Sequence, residues 1–101
     1  MIYNLIIKEE AFTEIEDAFI YYQQQIEGLG SRFIQELELH LNSVHENPLH
    51  YSFFLGEKPF RSNSLQHFPF SIIYEVTEKD VIVFSVYHQH QDPSKLSKRL
   101  K

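Results

Sequence analysis

The sequence predicts an α+β fold in which the elements follow the order β-α-α-β-β-β. Apolar residues recur at spacings of three and four in the first half of the chain, whereas in the second half they alternate or form short β-branched runs. Gly28-Leu29-Gly30 interrupts the helical pattern and divides it into two helices. Two amphipathic helices joined by so short a turn pack as an antiparallel hairpin, and closely spaced strands pair antiparallel. We therefore expect an antiparallel sheet with the N-terminal helical hairpin packed on one face.

The first strand is predicted at residues 2–8, where β-forming residues predominate (IYNLIIK). The helix that follows carries one apolar stripe, made of Phe12, Ile15, Phe19, Tyr22 and Ile26. Thr13 and Glu16 have the spacing of a capping box, although a start one turn earlier, near Glu10, fits equally well.

The second helix and the later strands have clearer limits. The helix has the apolar stripe Phe33, Leu37, Leu41 and Val44 and is predicted to end at Asn47-Pro48. Three strands follow, at residues 59–66, 68–77 and 81–88. In the middle one, a single face carries Phe68, Phe70, Ile72, Tyr74 and Val76. From Asp92-Pro93 onward the tail forms either a short basic helix or a frayed end.

Length and composition favour a single domain that spans residues 1–101. With 43% hydrophobic and 23% charged residues, the chain can bury a core. It has no cysteine, which excludes a disulfide scaffold, a thiolate zinc site and a cysteine nucleophile. The apolar run Ile2 to Ile7 is too short for a membrane span or a signal peptide. We expect a cytoplasmic protein without a membrane partner.

The charges are distributed unevenly along the chain. The net charge is −5, yet residues 1–50 carry two basic and nine acidic residues, whereas residues 51–101 carry seven basic and five acidic ones. Because phosphate affinity comes largely from clustered Lys and Arg, any contact with nucleic acid would have to use the C-terminal half.

A set of local motifs, with their spacing, covers nearly the whole chain. The helical part contains Ala18, Tyr21-Tyr22, Gly28-Leu29-Gly30, Arg32-Phe33, Glu36-Leu37 and Leu41, followed by Pro48 and Tyr51. The β-rich part contains Arg61, Leu65, Phe68-Pro69-Phe70, Ile72, Tyr74, His88, Gln91 and Asp92-Pro93. With these motifs the chain resembles the RelE/ParE family of toxins from type II toxin–antitoxin (plasmid stabilisation) systems. The hairpin and the length of the final segment resemble the ParE branch more closely.

The resemblance implies a toxin that inhibits an essential target, such as DNA gyrase, and is neutralised by a cognate antitoxin. One alternative is a RelE-like endoribonuclease that cleaves mRNA on the ribosome. Another is a decayed or repurposed member without toxicity, because Gln91 stands where the family usually has arginine and the chain is net acidic. Whether the chain is an enzyme therefore stays open, as does the formation of a homodimer.

If the chain is a nuclease, Arg61 and His88 are the candidate catalytic residues. An arginine fork can stabilise the charge of a phosphorane-like transition state, and a histidine can transfer protons near neutral pH. Both side chains also have a structural interpretation. Arg61 would pair with an acidic residue across the sheet, such as Glu75, and the His88 ring would donate a hydrogen bond that holds the strand end to the tail.

Other residues carry weaker functional interpretations. His88 and His90 share a strand face and could hold a metal, but no third ligand stands at a recognisable spacing, so we expect no metal site. Tyr51, Tyr74 and Tyr87 either stack on bases or pack in the sheet. The basic tail, Lys95 to Lys101, either contacts phosphate or is solvated. No nucleotide-binding or other cofactor motif is present, so no cofactor is expected.

Overall fold

The first half of the chain forms a strand and a helical hairpin, as predicted. In the computed structural model, which describes residues 2–100, strand β1 (Asn4–Ile7) leads into helix α1 (Glu9–Gln25) and helix α2 (Leu29–Glu46). Gly28 connects the helices with a left-handed backbone (φ 88°), which favours glycine. Gly30 lets the helices approach closely, because a Cβ at this position would lie 2.7 Å from the carbonyl oxygen of Phe19.

The second half contains three strands and a third helix. Two short 3-10 turns, Pro48–His50 and Phe54–Gly56, precede strands β2 (Phe60–Ser64), β3 (Phe70–Val76) and β4 (Asp80–His88). The tail forms helix α3 (Pro93–Leu100), which confirms the helical alternative for this segment.

The sheet is mixed rather than wholly antiparallel. Its strand order is β1-β4-β3-β2, in which β2, β3 and β4 form an antiparallel meander. β1 lies at the edge, parallel to β4, with Ile7 opposite Val83. The helical hairpin connects β1 to the meander. A connection of this length allows β1 and β4 to run parallel to each other.

The main core lies between the hairpin and one sheet face, as predicted. The stripe of α2 is buried as expected, and the strands contribute Phe70, Ile72, Tyr74, Val81, Val83 and Val86. A group of aromatic rings closes one end of this core: Tyr22, Phe33, Phe68 and Phe70, with the Tyr22 and Phe68 centroids 5.0 Å apart. Large rings thus supply much of the core of a small chain.

A second, smaller cluster covers part of the opposite sheet face. Leu96 of α3 packs there on Ile73 and Tyr87, with Phe54, Phe60 and Leu100 at its margin. The alternation in β3 therefore gave an incomplete prediction, because Ser71 and Ile73 are buried as well. Phe68 lies in the loop before β3 rather than within the strand.

The predicted stripe of α1 is confirmed in part, because Ile15 and Tyr22 pack against the core. The most buried residues of α1 are Ala11 and Ala18, whereas Phe12 is 51% and Ile26 is 64% exposed. Small residues face the sheet because α1 lies close to β4. The predicted capping box is wrong: the helix begins at Glu9, and the Thr13 hydroxyl donates a hydrogen bond to the Glu9 carbonyl one turn earlier.

Candidate functional site

A cleft runs between α1 and the C-terminal end of β4. It consists of two adjoining cavities of about 400 and about 340 Å³, which share Glu14 and Gln91. The larger cavity is lined by Glu14, Asp17, Ala18, Tyr21, Tyr22, Phe70, Val86, His88 and Gln91. The smaller one continues along α3 and is lined by Glu14, Gln91, Asp92, Lys95, Leu96 and Arg99. One end of the cleft is therefore aromatic and acidic, whereas the other carries two basic side chains, Lys95 and Arg99, beside Glu14 and Asp92.

The cleft exists because β1 covers only part of β4. β1 pairs with residues Asp80 to Val83, and the chain then leaves the sheet to begin α1. The β3–β4 register shifts at Ile73/Tyr74, where Phe84 is the extra residue of a β-bulge. Beyond this bulge, no strand formed by residues 2–100 neighbours the outer side of β4.

Glu14 and Arg99 occupy the place of the missing strand. One Glu14 carboxylate oxygen accepts hydrogen bonds from the Val86 amide (3.2 Å) and the Ser85 hydroxyl (2.8 Å). The Arg99 guanidinium donates to the Phe84 carbonyl (3.1 Å) and lies 3.4 Å from the same Glu14 oxygen. We call these two side chains the edge clasp. They satisfy backbone groups that a further strand would otherwise pair.

His88 lies on the wall of the cleft, packed edge-on against Phe70 at 5.0 Å between centroids. The His90 amide donates to His88 Nδ1 at 3.1 Å, so the neutral ring carries its proton on Nε2. The ring therefore accepts the hydrogen bond that holds the strand end, and the expectation that it donates this bond is wrong. Burial lowers the pKa of His88, and the neighbouring His90 lowers it further.

His88 and His90 are neighbours at the C-terminal end of β4. Their rings lie 5.0 Å apart. Within residues 2–100, no group of three or more His, Cys, Asp or Glu side chains is arranged to hold a metal ion.

Arg61 lies outside the cleft and is engaged by the segment that follows α2. Its Nη1 donates to the Tyr51 carbonyl at 2.6 Å, and the guanidinium stacks on Phe53 at 4.1 Å from the ring centroid. The alternative pairing with Glu75 is wrong. Phe60 is the residue opposite Glu75, and Arg61 faces Tyr74, so that Arg61 and Glu75 point to opposite sheet faces.

The sheet register separates the two candidate catalytic residues. Arg61 is opposite Tyr74 and His88 is opposite Phe70, on the two flanking strands of β3. Four residues along a strand and two strand spacings across it place their Cα atoms roughly 16 Å apart. The structure therefore does not bring Arg61 and His88 to one site.

The three tyrosines considered for base stacking are packed within the protein to different degrees. Tyr74 and Tyr87 are buried, whereas Tyr51 is half-buried. The Tyr74 hydroxyl donates to the Pro48 carbonyl at 2.7 Å, and burial raises its pKa to about 12. These contacts favour the packing interpretation for Tyr74 and Tyr87.

Sequence reasoning missed the acidic wall of the cleft. Glu14 and Asp17 are not part of the predicted apolar stripe of α1, yet Glu14 contacts residues 71 and 72 positions later in the chain. The available signal was the seven-residue spacing of Ala11 and Ala18, with Glu14 between them on the same face. Small residues at that spacing indicate a helix that lies close to a sheet.

Comparison with known proteins identifies the family. The sequence model for the ParE toxin of type II toxin–antitoxin systems (parDE) matches residues 5–93. The chain therefore belongs to the ParE toxin family and is a ParE/RelE-type toxin of a type II toxin–antitoxin system. This membership implies a cognate antitoxin as its partner.

Two solved structures agree with the family. A chromosomal ParDE toxin–antitoxin system from P. aeruginosa gives a TM-score of 0.75 at 16% identity, over 86% of this chain and 96% of that chain. The isolated RelE toxin of E. coli gives a TM-score of 0.66 at 25% identity, over 98% of this chain and 99% of that chain. The first likeness shows the fold alone. Among curated proteins, none matches this sequence.

Within residues 2–100, no helix is both long and apolar enough to cross a membrane.

Proposed function

We propose that this toxin acts in the cytoplasm by binding and inhibiting DNA gyrase, and that its antitoxin neutralises it. The family assignment to ParE supports this mode of action, which requires a binding surface rather than a set of catalytic residues. The observation that carries the proposal is the separation of Arg61 from His88, whose Cα atoms lie roughly 16 Å apart, since strands are about 4.8 Å apart and rise about 3.4 Å per residue. The Arg61 guanidinium is held on the Tyr51 carbonyl and the Phe53 ring, outside the cleft that contains His88, so the two side chains do not act on one phosphate.

The charges in the cleft also favour a protein target over RNA. Glu14 and Asp17 line the larger cavity of the cleft, and Gln91 contributes no positive charge there. Burial and the neighbouring His90 lower the pKa of His88, which favours the neutral ring over the cation. A phosphate chain is repelled by such a surface, whereas a protein partner with basic residues is attracted.

The test uses purified toxin in two assays run in parallel. We expect the chain to inhibit supercoiling by DNA gyrase or to trap its cleavage complex, and to leave translated mRNA intact in a reconstituted ribosome reaction. Arg61→Ala is the informative variant, provided that its folding is verified by circular dichroism. Ribosome-dependent cleavage that is lost in folded Arg61→Ala would refute the proposal and favour the RelE-like endoribonuclease.

A second candidate, a member that has lost toxicity, is favoured by Gln91. This residue lies where both cavities of the cleft meet, at the position where the family usually has arginine. The test is growth after induction of the chain alone, beside Gln91→Arg. Arrest by the natural chain supports a functional toxin. Arrest only by Gln91→Arg, at equal amounts of folded protein, supports the loss of a single essential charge.

A further inference from the structure

β1 closes the sheet on the side opposite β2, and part of its backbone faces away from the sheet. The Lys8 amide donates to the Val83 carbonyl at 2.9 Å, on the β4 side. Because strand residues alternate, the amide and carbonyl groups of Leu5 and Ile7 point to the outer side. No strand of residues 2–100 lies beyond them. These backbone groups are therefore placed to pair with another chain.

We propose that two copies of this chain pair through the outer edges of their β1 strands, antiparallel and about a two-fold axis at Ile6. Leu5 of each copy then lies opposite Ile7 of the other, and each such pair exchanges both of its main-chain hydrogen bonds. The two sheets become one continuous sheet. None of these residues lines the cleft, so the pairing is independent of the target that the toxin binds.

Two neighbours of the outer edge select this register. The Tyr3 carbonyl, on the same outer side, already accepts a hydrogen bond from His45 Nε2 at 2.6 Å. At the other end, the chain enters α1 at Glu9. An axis at Ile6 pairs every outer group between these limits, whereas an axis displaced by one residue in either direction loses a pair.

An apolar row crosses the interface at its centre. Leu5 and Ile7 pack against the main core, so Ile6 between them points to the opposite sheet face. Ile6 is 41% exposed, and its neighbour on β4 is the half-buried Ile82. Pairing at the axis brings the two Ile6 Cα atoms about 4.5 Å apart. The row then runs without a break from Ile82 of one copy to Ile82 of the other.

Opposite charges flank the apolar row on both sides. In this register Lys8 of one copy lies opposite Asn4 of the other copy. The Asn4 side chain donates to the Asp80 carboxylate at 3.1 Å, which places this carboxylate within reach of the incoming Lys8. Lys8 lies on the same sheet face, with its Nζ 5.7 Å from the Phe84 ring centroid. Because the two-fold axis repeats the contact between Lys8 and Asp80, the surface is complementary to itself.

The net charge and the length of the edge determine how strongly the copies associate. Each copy carries a net charge of −5, which opposes association. At physiological ionic strength, charges more than about 8 Å apart are largely screened, whereas Lys8 and Asp80 meet within that distance. A strand of four residues buries less surface than the roughly 1,200–2,000 Å² of a stable interface. We therefore expect a weak dimer, with a Kd of roughly 10–100 µM.

The first experiment exchanges the two charges. Sedimentation equilibrium is measured for the purified natural chain, for Lys8→Glu, for Asp80→Lys and for an equimolar mixture of these two variants, each with its folding verified by circular dichroism. Either variant alone places like charges on both sides of the axis and should dimerise about tenfold more weakly than the natural chain. A pair with one copy of each variant has opposite charges on both sides, so the mixture should recover to within about threefold of the natural Kd.

A loss of structure in one variant cannot produce this recovery, because mixing does not refold a chain. A natural chain that stays monomeric at about 300 µM overturns the proposal. A mixture that associates no better than either variant alone overturns it as well.

Ile6→Lys provides a second variant, which acts at the axis itself. It brings two cations together where the apolar row crosses the interface, so we expect dimerisation to weaken about tenfold or more. The matched control is Leu39→Lys, since Leu39 is an apolar residue of α2 that is 68% exposed. An equal Kd for the natural chain and both variants shows that the copies associate through another surface and overturns the proposal.

The third measurement detects the strand pair in the natural chain. Amide hydrogen exchange is followed at concentrations well below and well above the Kd. The amides of Leu5 and Ile7 should slow about fivefold when most of the chain is paired, whereas the Lys8 amide, already bonded to Val83, should not change. Protection at neither Leu5 nor Ile7, or equal additional protection at consecutive residues, overturns the pairing of the strands.

Discussion

Glu36 is expected to contribute more to stability than any neighbouring surface residue of α2, because it holds the loop between β2 and β3. Its carboxylate accepts hydrogen bonds from the amides of Gln66 (2.8 Å) and His67 (2.9 Å) and lies 2.6 Å from His67 Nδ1. This loop continues into Phe68, which packs on Phe33 in the aromatic end of the core. Replacing Glu36 by alanine therefore releases the loop from the helix.

The magnitude follows from the number and the exposure of these bonds. Hydrogen bonds to charged groups contribute about 1.5–3 kcal/mol each when buried, but Gln66 and His67 are exposed and water can replace the lost acceptor. We expect Glu36→Ala to lower the free energy of unfolding by about 2 kcal/mol in total. For a domain of this size, such a loss lowers Tm by roughly 8–16 °C. The measurement is thermal unfolding by circular dichroism, with Glu38→Ala as the exposed control on the same helix.

The effect of Glu36→Ala should depend on pH in a defined direction. Burial raises the pKa of Glu36, but the hydrogen bonds from His67 and Gln66 outweigh it and hold the pKa below its usual value. A depressed folded-state pKa contributes stability that is fully present above the unfolded value of about 4.3 and is lost as the pH falls through the folded value. The difference between the natural chain and Glu36→Ala should therefore be full at pH 7 and shrink below about pH 4. Equal Tm values for Glu36→Ala and Glu38→Ala at pH 7, or a difference that grows in acid, would refute the reasoning.

Two further predictions concern the hairpin and the core. Gly30→Ala should lower the free energy of unfolding by about 2 kcal/mol, because the new methyl meets the Phe19 carbonyl. Gly28→Ala meets no atom and should lose only about 1 kcal/mol through its left-handed backbone; urea titration that ranks the two in the opposite order would contradict the packing argument. Tyr74→Phe should lose about 2 kcal/mol, because the Pro48 carbonyl loses a buried donor, and an unchanged urea midpoint would show that water replaces the hydroxyl.

The sequence predicted the helical hairpin and the meander well, because their signals are local. The stripe of α2 combines large apolar residues at regular spacing, and its members are buried as predicted. The stripe of α1 was predicted correctly at Ile15 and Tyr22, but it included the exposed Phe12 and omitted the buried Ala11. A helix that packs closely on a strand needs small side chains at the contact. Hydrophobicity scales rank alanine below phenylalanine, so a stripe chosen by hydrophobicity favours the larger residue.

The candidate site was less predictable, because it depends on contacts between distant parts of the chain. His88 and Gln91 were found through their motif and do lie in the cleft. The clasp between Glu14 and Arg99 joins residues 85 positions apart, and no local pattern contains that information. The parallel pairing of β1 with β4 could not be predicted from the sequence either. A β-rich segment at one end of the chain can join a sheet at either edge and in either direction.

The edge clasp joins the two oppositely charged parts of the sequence. The acidic first half and the basic tail meet where Arg99 of α3 contacts Glu14 of α1, while Leu96 anchors the same helix on the opposite sheet face. The tail is therefore not a free cationic arm, because one of its charges is neutralised by the chain itself. Phosphate affinity depends on the number of cations that remain available for counterion release. Displacement of Arg99 from Glu14 would thus free one cation beside Lys95 and raise the number of charges in the cleft that are available to phosphate.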